Sequence, residues 1–172
     1  MSIPVAAPPT KTTAFAPVRY EDGPARTLAG LSQHCTFDTR TEIPTLWGRF
    51  VADMDRIPNA VGGRVSYGLV TNTPDGQAFD YMAAVAVSDA PAAADLPAGL
   101  TTYHVPPQRY AIFPHEGTLA TLCETIDGIF NRWLPASGHA LMNTPTYFEH
   151  YGENFDPVAG QGDLEIWVPV QV

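Results

Sequence analysis

The segment EIPTLWGRFVADMDRI, Glu42 to Ile57, decides the fold because a second stretch, TLATLCETIDGIFNRWL, Thr118 to Leu134, follows the same design. In the first, Ile43, Leu46, Trp47, Phe50, Val51, Met54 and Ile57 recur at helical steps that gather apolar side chains on one side. Thr39 and Glu42 are spaced for a capping box, Pro44 is tolerated in a first turn, and Pro58 ends the pattern. In the second, Leu119, Leu122, Cys123, Ile126, Ile129, Phe130, Trp133 and Leu134 make the apolar side, and Pro135 is expected to stop the helix. A constant shift of about 76 residues lays Ile43, Leu46, Trp47, Phe50, Met54 and Ile57 on Leu119, Leu122, Cys123, Ile126, Phe130 and Trp133.

Outward from the helices the order repeats. Strand patterns at about residues 26–37, 65–71 and 79–87 surround the first helix, the last two joined by the turn signal Asn72-Thr73-Pro74-Asp75-Gly76. Patterns at about 100–105, 109–115, 146–151 and 164–170 surround the second. Strand, helix, strand, turn, strand occurring twice predicts an α+β fold: a tandem βαββ repeat with pseudo-twofold symmetry, paired antiparallel sheets, two main helices and a central ligand groove. Residues 1–15, rich in Pro, Ala and Thr, read as a flexible leader. One domain is expected over 16–172, with a first half at about 26–87, a linker at 88–99 and a second half at about 100–172.

Composition narrows the function. The chain has 172 residues and a net charge of −9, from 9 basic and 18 acidic side chains, which repels phosphate backbones and argues against direct nucleic-acid binding. There is no long apolar run for a membrane span and no signal-peptide pattern, so a cytoplasmic location is expected. Cys35 and Cys123 belong to no CxxC motif, and Cys123 is expected as a reduced core thiol. His34, His104, His115, His139 and His150 form no HExxH or HxxxH pair, so no metal and no cofactor is expected. Ser137 lacks the context of a nucleophile elbow. Asp53 and Asp55 fall on the polar side of the first helix, where solvation accounts for them.

The informative stretch is Thr146-Tyr147-Phe148-Glu149-His150-Tyr151. In a strand, alternation sets Tyr147, Glu149 and Tyr151 on one face and Phe148 on the other. From the residues alone, that face is either a wet outer surface or a carboxylate in an aromatic-walled groove. The second arrangement suits lipophilic cations, because the anion supplies charge and the rings add cation–π attraction. Burial would also raise the Glu149 pKa and make it a candidate acid or base.

Several stretches resemble the GyrI-like family, the effector-binding domain of AraC- and MerR-type bacterial regulators. They are Leu28-Ala29-Gly30-Leu31, Glu42 to Phe50, Tyr110 to Gly117, Trp133 to Gly138, Tyr147 to Tyr151 and Leu164 to Val170, in the family's order. The resemblance implies a tandem βαββ fold whose central groove holds the glutamate at position 149 and meets hydrophobic or cationic small molecules, as in multidrug-binding relatives. It implies Tyr67 facing Glu149 across the axis, and Trp47, Tyr81, Phe113, Trp133, Tyr147, Tyr151 and Trp167 as candidates for the aromatic wall. Trp47 and Trp133 fit core packing equally well.

Three functions follow as expectations. The first is binding or sequestering of a small molecule by a stand-alone domain. The second is hydrolysis of reactive, cyclopropanoid-type compounds, with Glu149 activating water or protonating a leaving group and Tyr67 donating a hydrogen bond to developing charge. The third is a protein-interaction role like that of relatives that inhibit gyrase, for which the scattered acidic residues give a thin electrostatic case. The residues ahead of position 16 are too few for a helix-turn-helix, so a transcription factor in its own right is not expected.

Overall fold

The computed structural model describes residues 15–141 and 145–171. Its strands are β1 (Arg19–Gly23), β2 (Arg26–Thr36), β3 (Ser66–Asn72), β4 (Ala78–Val87), β5 (Thr101–Val105), β6 (Gln108–Pro114), β7 (Tyr147–Tyr151) and β8 (Leu164–Pro169). Helix α1 covers Ile43–Met54; α2 covers Leu122–Gly128 and runs through a π turn, Ile129–Trp133, into α3, Leu134–Ser137. The strands form one antiparallel sheet in the order β1-β6-β8-β7-β3-β4-β2-β5. Each half contributes three adjacent strands, and the halves meet where β3 pairs with β7.

The end strands are exchanged between the halves. β1, which the sequence pattern did not reveal, pairs with β6 of the second half, and β5 pairs with β2 of the first. Only Pro24 and Ala25 join β1 to β2, and only Pro106 and Pro107 join β5 to β6. Two linking residues bridge roughly 10 Å at most. In a flat sheet each linked pair would lie six strand spacings apart, roughly 29 Å. The sheet is therefore rolled until its ends approach. Arg26 at the start of β2 reaches the rings of Tyr110, Trp167 and Phe148 on β6, β8 and β7, which only a rolled sheet permits.

Rolling gives the sheet two buried faces. The inner one packs Leu28, Tyr67, Leu69, Met82, Tyr110, Ile112, Phe148 and Trp167 together. The outer one carries the helices, with Leu46 and Phe50 of α1 and Ile129 and Trp133 of the second helix packed on Tyr81, Phe113 and Ile166. Phe50, fully buried, contributes about 2–3 kcal/mol by removing its apolar surface from water.

Several expectations change. The helical segments begin 79 residues apart, since short 3₁₀ turns start at Arg40 and Leu119 and the α-helices at Ile43 and Leu122. A three-residue slip keeps the same helix face, so the shift of about 76 residues matched the pattern without matching the structure. Cys123 and Leu119 are exposed, not core. The capping box does not form: Thr39 Oγ1 accepts from the Thr36 amide at 2.8 Å, and Glu42 accepts from Gln33 Nε2 at 2.7 Å. Pro135 does not stop the helix. It lacks an N–H and its ring crowds the preceding turn; the widened π turn absorbs this, and Gly138 at φ 76° ends the helix.

Gly30 fixes how closely β2 lies on β4. It stands opposite Ala84, and a β-carbon there would overlap the Ala83 carbonyl oxygen. Gly30→Val is expected to destabilise the protein by about 3 kcal/mol or more, read as a lower denaturation midpoint in urea with an unchanged slope. A midpoint equal to that of the wild type would contradict this packing.

Candidate ligand-binding groove

Glu149 lies on β7 near the middle of the sheet, paired with Gly68 on β3 and Ile166 on β8. Alternation along β7 sends Tyr147, Glu149 and Tyr151 to the helix-bearing face and Phe148 to the inner face, as the pattern of the strand predicts. Glu149 is 5% exposed, so the wet-surface alternative does not apply.

The carboxylate is held by a chain of hydroxyls. Tyr151 Oη donates to Glu149 Oε2 at 2.6 Å, and Tyr81 Oη donates to the same oxygen at 2.8 Å. Trp47 Nε1 on α1 donates to Tyr81 Oη at 2.9 Å, which turns the Tyr81 proton toward Glu149. Oε1 accepts no hydrogen bond from the described residues. The Trp47 ring meets Tyr151 edge-on at 5.3 Å. Toward the second helix, Phe130 lies 5.3 Å from Tyr147 and Trp133 meets Phe113 edge-on at 4.9 Å. The result is a groove of aromatic clusters around a buried charge.

Burial pushes the Glu149 carboxyl above the ordinary carboxylate range, and the bonds from Tyr151 and Tyr81 draw it part of the way back. Burial, followed by the neighbouring Glu149 charge, raises Tyr81 and Tyr151 well above the ordinary phenol value, so both remain donors at neutral pH. No salt bridge reaches Glu149 among the described residues.

Two residues expected in the groove, Tyr67 facing Glu149 and Trp167 in the wall, are elsewhere. Tyr67 pairs with His150, not with Glu149, and packs on the inner face against Phe148 and His150. It cannot donate to Glu149, because adjacent strand positions point to opposite faces. Trp167 also belongs to the inner face, stacked on Phe148 at 5.4 Å. The partner expected of Tyr67 is supplied by Tyr81. Gly68 was missed: a β-carbon there would overlap Tyr81 Oη and approach Glu149 Oε2 to 2.5 Å, so glycine makes room for the carboxylate and its donor. His115 is structural, with Nδ1 2.8 Å from Thr125 Oγ1 and Nε2 2.8 Å from the Thr118 carbonyl. Among the described residues, no group of three His, Cys, Asp or Glu is placed to hold a metal, and no helix is long and apolar enough to cross a membrane.

Fold and groove together define a GyrI-like effector-binding domain, related to the ligand-binding modules of AraC- and MerR-type regulators. More narrowly, residues 21–170 match the Cass2 family of integron-associated effector binding proteins, and the chain belongs to that family. It is 28% identical over 153 residues to the transcriptional regulator BrlR of Pseudomonas aeruginosa, an alignment over 88% of this chain and 54% of BrlR. The chain thus spans about half the length of that relative. Among solved structures, SAV2435 bound to tetraphenylphosphonium superposes with a TM-score of 0.70 at 19% identity, over 89% of this chain and 93% of that one. The integron cassette protein VCH_CASS2 of Vibrio cholerae superposes with a TM-score of 0.63 at 20% identity, over 89% and 95%.

Two outcomes test the buried carboxyl. The native state holds the Glu149 proton to higher pH than the unfolded chain does, so unfolding releases protons in the window between the ordinary and the raised pKa. Stability contributed by this group is therefore present at low pH and lost as pH rises through that window. Glu149→Gln is expected to remove this slope and raise Tm at pH 7, by roughly 3 °C for each kcal/mol recovered. An unchanged pH profile of Tm would refute the raised pKa. Gly68→Ala is expected to displace Tyr81 or Glu149 and cost about 1–3 kcal/mol; wild-type stability would show that the space is not needed.

Proposed function

We propose that the groove binds a hydrophobic small molecule with a cationic centre, taking Glu149 as its counter-charge and the rings of Trp47, Tyr147 and Tyr151 as its walls. The observation that carries this reading is a buried carboxylate held by neutral donors on one oxygen and by none of the described residues on the other. Such an anion is under-compensated, and a ligand cation brought against Oε1 would complete it. A desolvated cation also gains from the faces of neighbouring rings. A large substituted cation has little hydration to lose, which favours it over a small ammonium ion. The phosphonium complex of SAV2435 supports the reading by its chemistry, on the same fold.

Titration with tetraphenylphosphonium, followed by calorimetry, tests it. Saturable binding is expected, and Glu149→Gln should weaken it by about tenfold or more, as removal of a desolvated charge partner does. The neutral triphenylphosphine oxide should bind more weakly to the wild type, and the variant should lose that discrimination. Because cation binding requires the ionised carboxylate, affinity should rise with pH up to the raised pKa of Glu149. An affinity that neither Glu149→Gln nor a change of pH alters would sink the proposal.

A further inference from the structure

The loop between β7 and β8, residues 152–163, leaves the sheet directly after Tyr151. It is clipped by its own backbone: Gly152 donates to the Asp163 carbonyl at 2.7 Å, Asp156 to that of Gln161 at 2.8 Å, and Gly160 back to that of Asp156 at 2.8 Å. The Asp156 carboxylate accepts from the amides of Val158 and Ala159 at 2.8 and 3.0 Å. A bond from the Leu119 amide to the Gly160 carbonyl, at 2.8 Å, ties the loop to the turn that leads into α2. A loop tied at so many points is compact and holds its side chains in place by itself. From residue 153 to 159 every residue is exposed except Phe155, which is half-buried against the helix-bearing core.

Phe155 meets the Tyr151 ring edge-on at 4.8 Å, and Trp47 meets it edge-on at 5.3 Å. Tyr151 Oη in turn donates to Glu149 Oε2 at 2.6 Å. The two donors to that oxygen are secured differently. Tyr81 is fully buried, and its hydroxyl takes a hydrogen bond from Trp47. Tyr151 stands at the end of β7, where the chain leaves the sheet, and aromatic neighbours orient its ring. An edge-to-face contact sets the tilt of a ring, which a shapeless aliphatic contact does not. A small turn of the Tyr151 ring would carry its hydroxyl off the carboxylate, and a hydrogen bond weakens steeply as its angle closes.

We propose that Phe155 is a positioning residue for the groove: the clipped loop holds its ring against Tyr151 and so keeps the Tyr151 hydroxyl on Glu149. Few ionisable groups bear on that carboxylate. They are Tyr147 and Tyr151 on β7 and Tyr81 on β4, with Cys123 of α2 acting on Tyr147. Strands β3 and β8 place Gly68 and Ile166 beside it, and α1 brings the neutral Trp47. The hydrogen bond from Tyr151 leads in drawing the Glu149 carboxyl back toward the ordinary range, ahead of the one from Tyr81. Loosening Tyr151 therefore raises the Glu149 pKa further, and the carboxylate forms only at higher pH. The consequence for ligand binding rests on the cation reading above; the consequence for the carboxyl itself does not.

Two profiles across pH test this on the full chain: tetraphenylphosphonium affinity by calorimetry, and Tm. Phe155→Leu is expected to move the midpoint of both up by about half a pH unit. That is about a threefold loss of affinity below the midpoint and none well above it. Phe155→Tyr keeps the ring and should keep the wild-type midpoint. In a Tyr151→Phe background, Phe155→Leu should shift nothing further, because the hydroxyl it positions is gone. The proposal is overturned if Phe155→Leu leaves the midpoint in place, or if Phe155→Tyr shifts it as far. It is equally overturned if the shift persists without the Tyr151 hydroxyl, or if affinity drops by one factor at every pH, which would make Phe155 a wall only. If tetraphenylphosphonium does not bind the wild type, the cation reading falls, and the Tm profile still decides the role of Phe155.

Discussion

Removing the Glu149 carboxylate from water is the constraint around which the groove is built. An isolated buried carboxylate is strongly unfavourable, and this one is retained by hydroxyls of Tyr81 and Tyr151 converging on Oε2. Each donor depends on a different part of the fold. Tyr151 comes from the same strand two residues on, whereas Tyr81 comes from β4, two strands away in the sheet. Trp47 ties that tyrosine to α1, so the first helix is locked to the charge it overlooks. Gly68 on the intervening strand leaves the gap through which Tyr81 reaches. Strand register, helix position and the state of the carboxyl are thus one coupled arrangement. Two neutral donors leave the carboxyl with a raised pKa; a salt bridge would have lowered it and occupied the groove.

The reverse of the same sheet is lined by a second set of buried rings. Short proline-containing links roll it, and the roll closes an aromatic layer that no helix among the described residues covers. Neighbouring residues on β7 serve opposite faces: Glu149 looks toward the helices, and Phe148 and His150 look inward. Two residues of β3 divide in the same way, with Gly68 clearing space for the carboxylate and Tyr67 packing inside. Glu149 and Arg26 therefore do not neutralise each other. Each sits among rings on its own side of a hydrogen-bonded backbone layer.

Much of this was legible in the sequence where the signal is periodic. Helical spacing located both helices, and the repeated order of elements gave the two halves. Alternation within Tyr147 to Tyr151 assigned Glu149 to a face with its flanking tyrosines. Choosing between face and face across strands was not legible. A single residue of register decides whether Tyr67 or Gly68 meets Glu149, and nothing local in Ser66 to Asn72 sets that register. Trp167 was misplaced for the same reason, since a tryptophan fits either buried face. The exchange of β1 and β5 escaped because both are short, largely exposed edge strands. Gly68 and Gly30 carry meaning only through what would collide with a β-carbon. The Cys123 assignment failed because Cys123 shares the apolar spacing of its helix and is nevertheless exposed.

The pseudo-twofold arrangement raises the question of why the groove has one acid. Gly68 stands directly across from Glu149 where the two halves meet. A side chain there would run into Tyr81 Oη and Glu149 Oε2, so a second carboxylate could not enter without expelling the donor that makes the first tolerable. Were it to fit, like charge at that distance would push one of the pair to keep its proton and would cancel the gain. Close packing where the halves meet leaves room for a single charge.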